Sequence, residues 1–266
     1  PDAALYLEEC DQVLEALGTP VQERYDLLKS HHATAEKRYY PLAQEVITGT
    51  YVGDYDYVLD LLDRCYFPTR EGVANFHDNF VDALILAGEE KIAEGKVEQA
   101  VTLYKKAFTY PENHQVFLVD ERATHDAQIN YCLGEAYAAL GQDAEAEKYW
   151  KLAAEQDYEL KGSKDFRYWT GLALERLGRK AEAEAIFSAL VADGEAAVVT
   201  QHVNFYGAEG TTGVTVDIIN SAAYYTQALG HLGLGHRGKA KRLFAEVQRL
   251  KPDHLWANEF MKQFEK

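Results

Sequence analysis

Nine histidines, three cysteines and 43 acidic residues set the chemistry this chain could attempt. His31 and His32 are adjacent, so on a helix they point in different directions and make poor joint ligands. His231 and His236 lie five apart beside turn glycines, and His202 sits with Asn204 and Tyr206 in a glycine-containing stretch. None has a companion at ligand spacing, so each reads as a surface or packing histidine, and no metal or cofactor is expected. Cys10, Cys65 and Cys132 are odd in number, far apart and without a Cys-x-x-Cys, which indicates neither a disulfide framework nor a zinc site. Gly207, Gly210 and Gly213 imitate a phosphate-cradling loop in spacing only. With no Gly-Lys-Ser/Thr and no preceding strand, nucleotide binding is rejected. Gly-x-Ser-x-Gly, His-Glu-x-x-His and an EF-hand loop are all missing from the sequence. Carboxylates are too plentiful for an acid–base pair to stand out, so the chain is expected to be no enzyme.

Charge narrows the partners. Lys and Arg number 27 against 43 Asp and Glu, a net −16. That argues against nucleic acid, whose phosphates need a basic surface, and against anionic lipid. The acidity suits either a solvated surface or a groove for basic partners. No apolar run is long enough to span a bilayer, and no signal-peptide pattern opens the chain. A cytoplasmic location is the resulting expectation, although the chain opens on Pro1 without an initiator Met, so the natural start is not represented in that reading.

The elements that would position any site are helices. From Ala127 to Asp157 the chain reads as two amphipathic helices joined at Gly141. Leu133 and Gly134 precede Tyr137 on the first, and Ala146, Trp150 and Ala153 repeat along one side of the second. Small residues at 134 and 146 let two helix backbones approach, and the aromatic residues fill the seam. Such a pair cannot bury its apolar face alone, which predicts copies on both sides. A glycine closes a first helix at Gly18, Gly53, Gly95, Gly141, Gly178 and Gly235, at intervals of 35, 42, 46, 37 and 57 residues. The predicted pairs lie near 3–30, 35–66, 74–110, 126–157, 163–191 and 216–250, with an irregular insertion over 192–215 and a capping helix over 252–265. Pro41 requires the first helix of the second pair to start near it or to kink. Trp256, Phe260 and Phe264 give the last helix one apolar face, as the end of a solenoid needs. The first pair opens on Ala4, Leu5, Leu7, Val13 and Leu14 with no cap, so a longer parent protein is expected.

Leu-Gly-x-x-Tyr followed by Ala-x-x-x-aromatic resembles the tetratricopeptide repeat, whose period is roughly 34 residues. The match is closest over 126–157 and extends over nearly the whole chain. The resemblance implies an all-α fold, a right-handed superhelical α-solenoid of about six helix pairs treated as one domain over 1–266. It also implies a concave face lined by first helices. Carried onto this sequence, the groove positions are Gln128, Tyr131 and Glu135, then Tyr168, Trp169, Leu172 and Glu175, then Tyr225. The adjacent insertion would add His202, Asn204 and Phe205 or Tyr206. Aromatic rings beside carboxylates suit a basic peptide or a stacked sugar, although an aromatic stripe at helical spacing also belongs in a core. A narrower resemblance rests on LLDRCYFPTREG (61–72), YPEN (110–113) and ALGHLGLGHRGKAKRLF with KPDH (228–244, 251–254). These strings are similar to the repeat region of a bacterial family whose repeats follow an N-terminal β-rich domain of unknown function. Thr69 stands where that family often has Trp. The function expected is a non-catalytic scaffold holding a protein or peptide partner in its groove. The alternative is an accessory domain of a larger carbohydrate-active or carbohydrate-binding protein, packed on an upstream domain of the same chain.

Overall fold

The structure, a computed structural model, describes residues 2–68, 76–115, 125–156, 164–200 and 215–265. Among the described residues the fold is all-α, with one isolated β-bridge between Phe67 and His114. Two compact units form: Pro1–His125 with Cys132–Ala146, and Asp126–Tyr131 with Glu147–Lys266.

Every turn glycine named from the sequence has the same conformation. Gly18, Gly53, Gly95, Gly141, Gly178 and Gly235 have φ between 70° and 82°, and no other described residue has positive φ. In each turn the N–H after the glycine donates back to the same helical position: Thr19 to Leu14 O, Asp54 to Gly49 O, Lys96 to Lys91 O, Gln142 to Tyr137 O, Arg179 to Leu174 O and His236 to His231 O, at 2.8–3.0 Å. This six-to-one bond with a left-handed glycine satisfies the last carbonyls of a helix and turns the chain back on itself.

In the first unit, α1 (Ala3–Ala16) and α2 (Val21–Ser30) form the opening pair. A short α3 (His32–Ala35) leads to α4 (Tyr39–Val52), which is paired with α5 (Tyr55–Arg64). Then come α6 (His77–Ala93) and α7 (Val97–Lys106). As expected, the first helix of this pair starts near Pro41, at Tyr39, after a break that sets α3 apart. Pro41 explains the break: it sits in the first turn of α4, where a missing N–H costs nothing, whereas a continuous helix would press its ring on the preceding turn. Arg24 is buried and grips Asp11 with two parallel bonds, Nε to Oδ1 at 2.8 Å and Nη2 to Oδ2 at 2.9 Å, tying α2 to α1. Of the apolar residues that open the chain, Ala4 and Leu7 are buried, while Tyr6, Val13 and Leu17 lie exposed on the other side of α1 and just beyond it.

The chain runs on through α8 (Asp126–Ala139) and α9 (Asp143–Ala154). In the second unit follow α10 (Arg167–Arg176), α11 (Lys180–Ala197), α12 (Val216–Gly233), α13 (Arg237–Leu250) and α14 (Leu255–Lys262). Phe187, Leu190, Ala228, Leu229, Phe244 and Val247 are fully buried at its centre. The predicted cap forms: Phe260 of α14 stacks on Phe244 at 5.2 Å with the rings 11° apart. Helix α11 runs six residues past the expected end at 191. Gly194 makes this extension pack, because a Cβ there would stand 2.6 Å from the Ala223 carbonyl oxygen of α12.

The turn glycines and the contact glycines answer different demands. A Cβ on Gly141 would meet nothing within 4 Å, whereas on Gly171 it would stand 2.3 Å from the Phe187 ring. Gly141→Ala is therefore expected to cost about 1–2 kcal/mol through the backbone alone, and Gly171→Ala about 1–3 kcal/mol through overpacking. Urea unfolding of each with and without Phe187→Leu checks this: the Gly171 pair should be non-additive and the Gly141 pair additive.

Candidate binding site

Gln128, Tyr131 and Glu135 share one face of α8 by their spacing. Gln128 is fully buried, and neither its amide nitrogen nor its amide oxygen has a hydrogen-bond partner. Tyr131 and Glu135 are half-buried, and Leu172 likewise on α10, while Glu175 is exposed. Tyr168, Trp169 and Tyr225 are buried at 6%, 6% and 5% exposure. Tyr168 meets Phe260 edge-on at 5.8 Å, Trp169 meets Trp256 at 5.9 Å, and Tyr225 lies over His254 at 4.5 Å. Burial pushes the Tyr168 hydroxyl well up. These three rings are spent on the core, and the expectation that they face a ligand is to that extent revised. His202, Asn204, Phe205 and Tyr206 lie outside the described residues. His231 and His236, five apart in sequence, come together with their Nδ1 atoms 3.3 Å apart, so one donates and the other accepts.

An open recess occurs instead in the first unit, where the α3–α4 turn faces the end of α5. Its far wall depends on a clasp between distant segments. After Arg64 the chain becomes extended at Cys65, leaving Tyr66 exposed and Phe67 fully buried. Phe67 stacks on Phe76 at 4.2 Å with the rings 9° apart. Its N–H donates to Asn113 O at 2.8 Å, and its carbonyl accepts from Gln115 N at 2.9 Å. The Asn113 side-chain amide donates to Leu62 O at 2.9 Å and Cys65 O at 2.6 Å, and His114 Nε2 donates to Leu62 O at 2.8 Å. Together these bonds satisfy carbonyls at the end of α5 that the helix itself leaves open. Leu62, Cys65 and Phe67 are thus bonded to Asn113 across about fifty residues of chain.

The recess has a volume of about 620 Å³. Glu36, Lys37, Arg38 and Arg64 supply its charge, Tyr39 and Tyr66 its aromatic walls, and Leu42, Cys65 and Pro68 the remainder. A smaller recess of about 270 Å³ shares Lys37 and Arg38 with it. Arg64 is held in place through a chain of side chains anchored on a buried carboxylate. Glu45, fully buried, accepts from the Tyr57 hydroxyl at 2.6 Å and lies 3.0 Å from His32 Nδ1. Arg64 Nη2 lies 3.0 Å from His32 Nε2. A guanidinium only donates, so Nε2 accepts and Nδ1 carries the proton toward Glu45. Arg64 Nε donates to Asp60 at 2.8 Å, which also keeps the guanidinium firmly charged. Arg38 donates to Glu8 and lies 3.8 Å from Asp2. Burial pushes the Cys65 thiol up, so it is a wall of the recess rather than a thiolate nucleophile. Sequence reasoning passed over these residues because they are ordinary surface charges in sequence, joined only by the α3–α4 break and the clasp.

No family model matches the chain, and the narrower bacterial resemblance gains no support. Among solved structures the chain is similar to YrrB, a TPR protein with an unusual peptide-binding site, at 16% identity over 88% of this chain and 97% of that one, with a TM-score of 0.32. At that score the likeness carries no argument about shape or ligand, and the helix-pair reading stands on the turns and the packing. Among the described residues, no helix is long and apolar enough to cross a membrane.

The clasp gives the first unit a pH dependence. His77 stacks on Tyr110 at 4.1 Å, and burial lowers it to about 4, with His125 and His114 pushing the same way and Asp78 opposing. Burial lowers His114 as well. The unfolded chain therefore takes up protons that the folded chain refuses, so the contribution of these histidines to stability is full above about pH 6.5 and is lost as the pH falls toward 4. His77 alone accounts for about 3 kcal/mol of that fall. Urea unfolding between pH 7 and 4 should show it, and His77→Phe should remove about one proton from the slope; an unchanged slope would mean that His77 titrates normally.

Proposed function

We propose that this chain is a non-catalytic helical-repeat module that holds a segment of a protein or peptide partner, seated in the recess between the α3–α4 turn and the end of α5. The make-up of that recess carries the reading. Its volume of about 620 Å³ falls within the range of binding pockets. Tyr66, 53% exposed, stands on it beside Arg64, and aromatic residues with arginine are the composition of interface hot spots. The second recess shares two residues with the first, so an extended segment fits the pair better than a compact small molecule does. A groove on the first helices of the second unit remains a further proposal. Its support is the half-buried Tyr131 and Leu172 and the exposed Glu175 on those helices.

The alternative, an accessory domain in a larger carbohydrate-active or carbohydrate-binding protein, has the exposed side of α1 in its favour. Tyr6, Val13 and Leu17 are 60%, 57% and 75% exposed and fall on one helical face, which a neighbouring domain would cover.

Selection of a random peptide display library on the full chain, with a glycan array in parallel, separates the two. The expected result is a set of peptides whose affinity drops about tenfold in Tyr66→Ala. Glycan binding without peptide binding would overturn the proposal in favour of the alternative.

A further inference from the structure

We infer that the recess between the α3–α4 turn and α5 is selective for an anionic oxygen group, a carboxylate or a phosphate, carried on an aromatic or apolar stem. The inference rests on reading this recess as the binding seat and adds the chemistry of what it takes.

The chain as a whole is strongly acidic, at net −16, yet this wall sets Lys37, Arg38 and Arg64 against one carboxylate, Glu36. Three further acids, Asp60, Glu8 and Asp2, are already engaged with Arg64 and Arg38, and Asp2 lines the adjoining smaller recess. Engagement is incomplete on the cationic side. Arg64 uses Nε on Asp60 and Nη2 on His32, and among the described residues its Nη1 makes no hydrogen bond. Arg38 uses Nε on Glu8, and its nearest other carboxylate, Asp2, lies beyond hydrogen-bond distance from Nη1 at 3.8 Å. The side chain of Lys37, exposed, makes no hydrogen bond or ion pair among the described residues. Open donors thus remain on three cations lining one recess. A cationic ligand would meet three like charges and find only Glu36 to pair with.

Geometry adds selectivity to charge. A guanidinium edge matches the two oxygens of a carboxylate or a phosphate, and charge-assisted bonds of this kind are about twice as strong as neutral ones. Arg64 cannot swing freely to neutralise itself elsewhere, because Asp60 holds Nε while the His32–Glu45 pair holds Nη2. Its remaining N–H groups are therefore offered in a fixed direction. Glu36 opposes an anion, but it is one carboxylate against three cations on this wall. Tyr39, Tyr66 and Leu42 supply an apolar and aromatic surface beside the cations, which a bare inorganic ion would leave unused. That combination points to a stem as well as a charged head.

The test is an NMR titration of the full chain at low salt with benzoate, phenyl phosphate and the neutral isostere benzamide, each to saturation or to its solubility limit. Benzoate or phenyl phosphate should bind about tenfold tighter than benzamide, and comparison of the two anions identifies carboxylate or phosphate as the preferred head. Shifts should map to residues 36–42 and 64–68. Lys37→Gln and Arg64→Gln should each weaken the anion roughly fivefold or more and leave benzamide unchanged; Lys37→Arg, which keeps the charge on the exposed position, should retain binding and so exclude a loss through misfolding. Equal affinity for benzoate, phenyl phosphate and benzamide, no shift with any of them, or anion binding indifferent to both substitutions would overturn the inference. Peptides that bind the recess without any preference for acidic residues would overturn it too while leaving the partner-binding function standing. Selective anion binding with no peptide recovered from the library would do the reverse.

Discussion

A helix that must end, reverse and pack against its own continuation needs one residue in the left-handed region, and among the described residues this chain meets that need six times with glycine. The same N–H to carbonyl bond closes each of those turns, so the end of every first helix is satisfied by its own backbone. The rest of the architecture follows from this closure. Once the chain reverses in a few residues, the second helix lies against the first, and small residues at the contact decide how closely. Ala100, Ala183 and Ala240 are fully buried on second helices, and the Cβ-free surface of Gly88 receives the Tyr104 ring directly.

The two units use the resulting interior differently. The second is filled with aromatic and aliphatic side chains around Phe187, Phe244 and Phe260, and its cap is a ring stack. The first threads polar side chains through its helices: Arg24 on Asp11, Tyr25 on Asp54, and Tyr57 and His32 on Glu45. Buried polar pairs cost desolvation and serve best as devices that fix one arrangement among several. Here they fix the side chains that surround the recess, because Glu45 orients His32 and His32 orients Arg64. The clasp from Asn113 and His114 then holds the extended segment after α5 as the other wall.

Much of this was legible in the sequence where one residue type is demanded by the backbone. The six turn glycines could be named in advance because few other residues tolerate positive φ, and the cap could be named because three aromatic residues four apart leave one apolar face. Pro41 announced a helix start, though not the separate turn of α3 before it. The end of α11 was misplaced because residues 192–197 carry no apolar period, and their helix is stabilised by α12 against Gly194, a tertiary effect. The aromatic residues of α10 and α12 were ambiguous for a physical reason: helical spacing makes a stripe, and a stripe does not say which neighbour covers it. The recess was invisible because it joins residues 36–38 to 64–66 through a clasp whose partners lie about fifty residues apart, and no local pattern records such a contact.

Amide hydrogen exchange of the full chain, with and without a selected peptide bound, tests the central claim most directly. The account predicts protection concentrated in residues 36–42 and 64–66, with the first helices of the second unit, α10 and α12, unchanged. Protection confined to α8, α10 and α12, with the α3–α4 turn and the end of α5 unaffected, would contradict it.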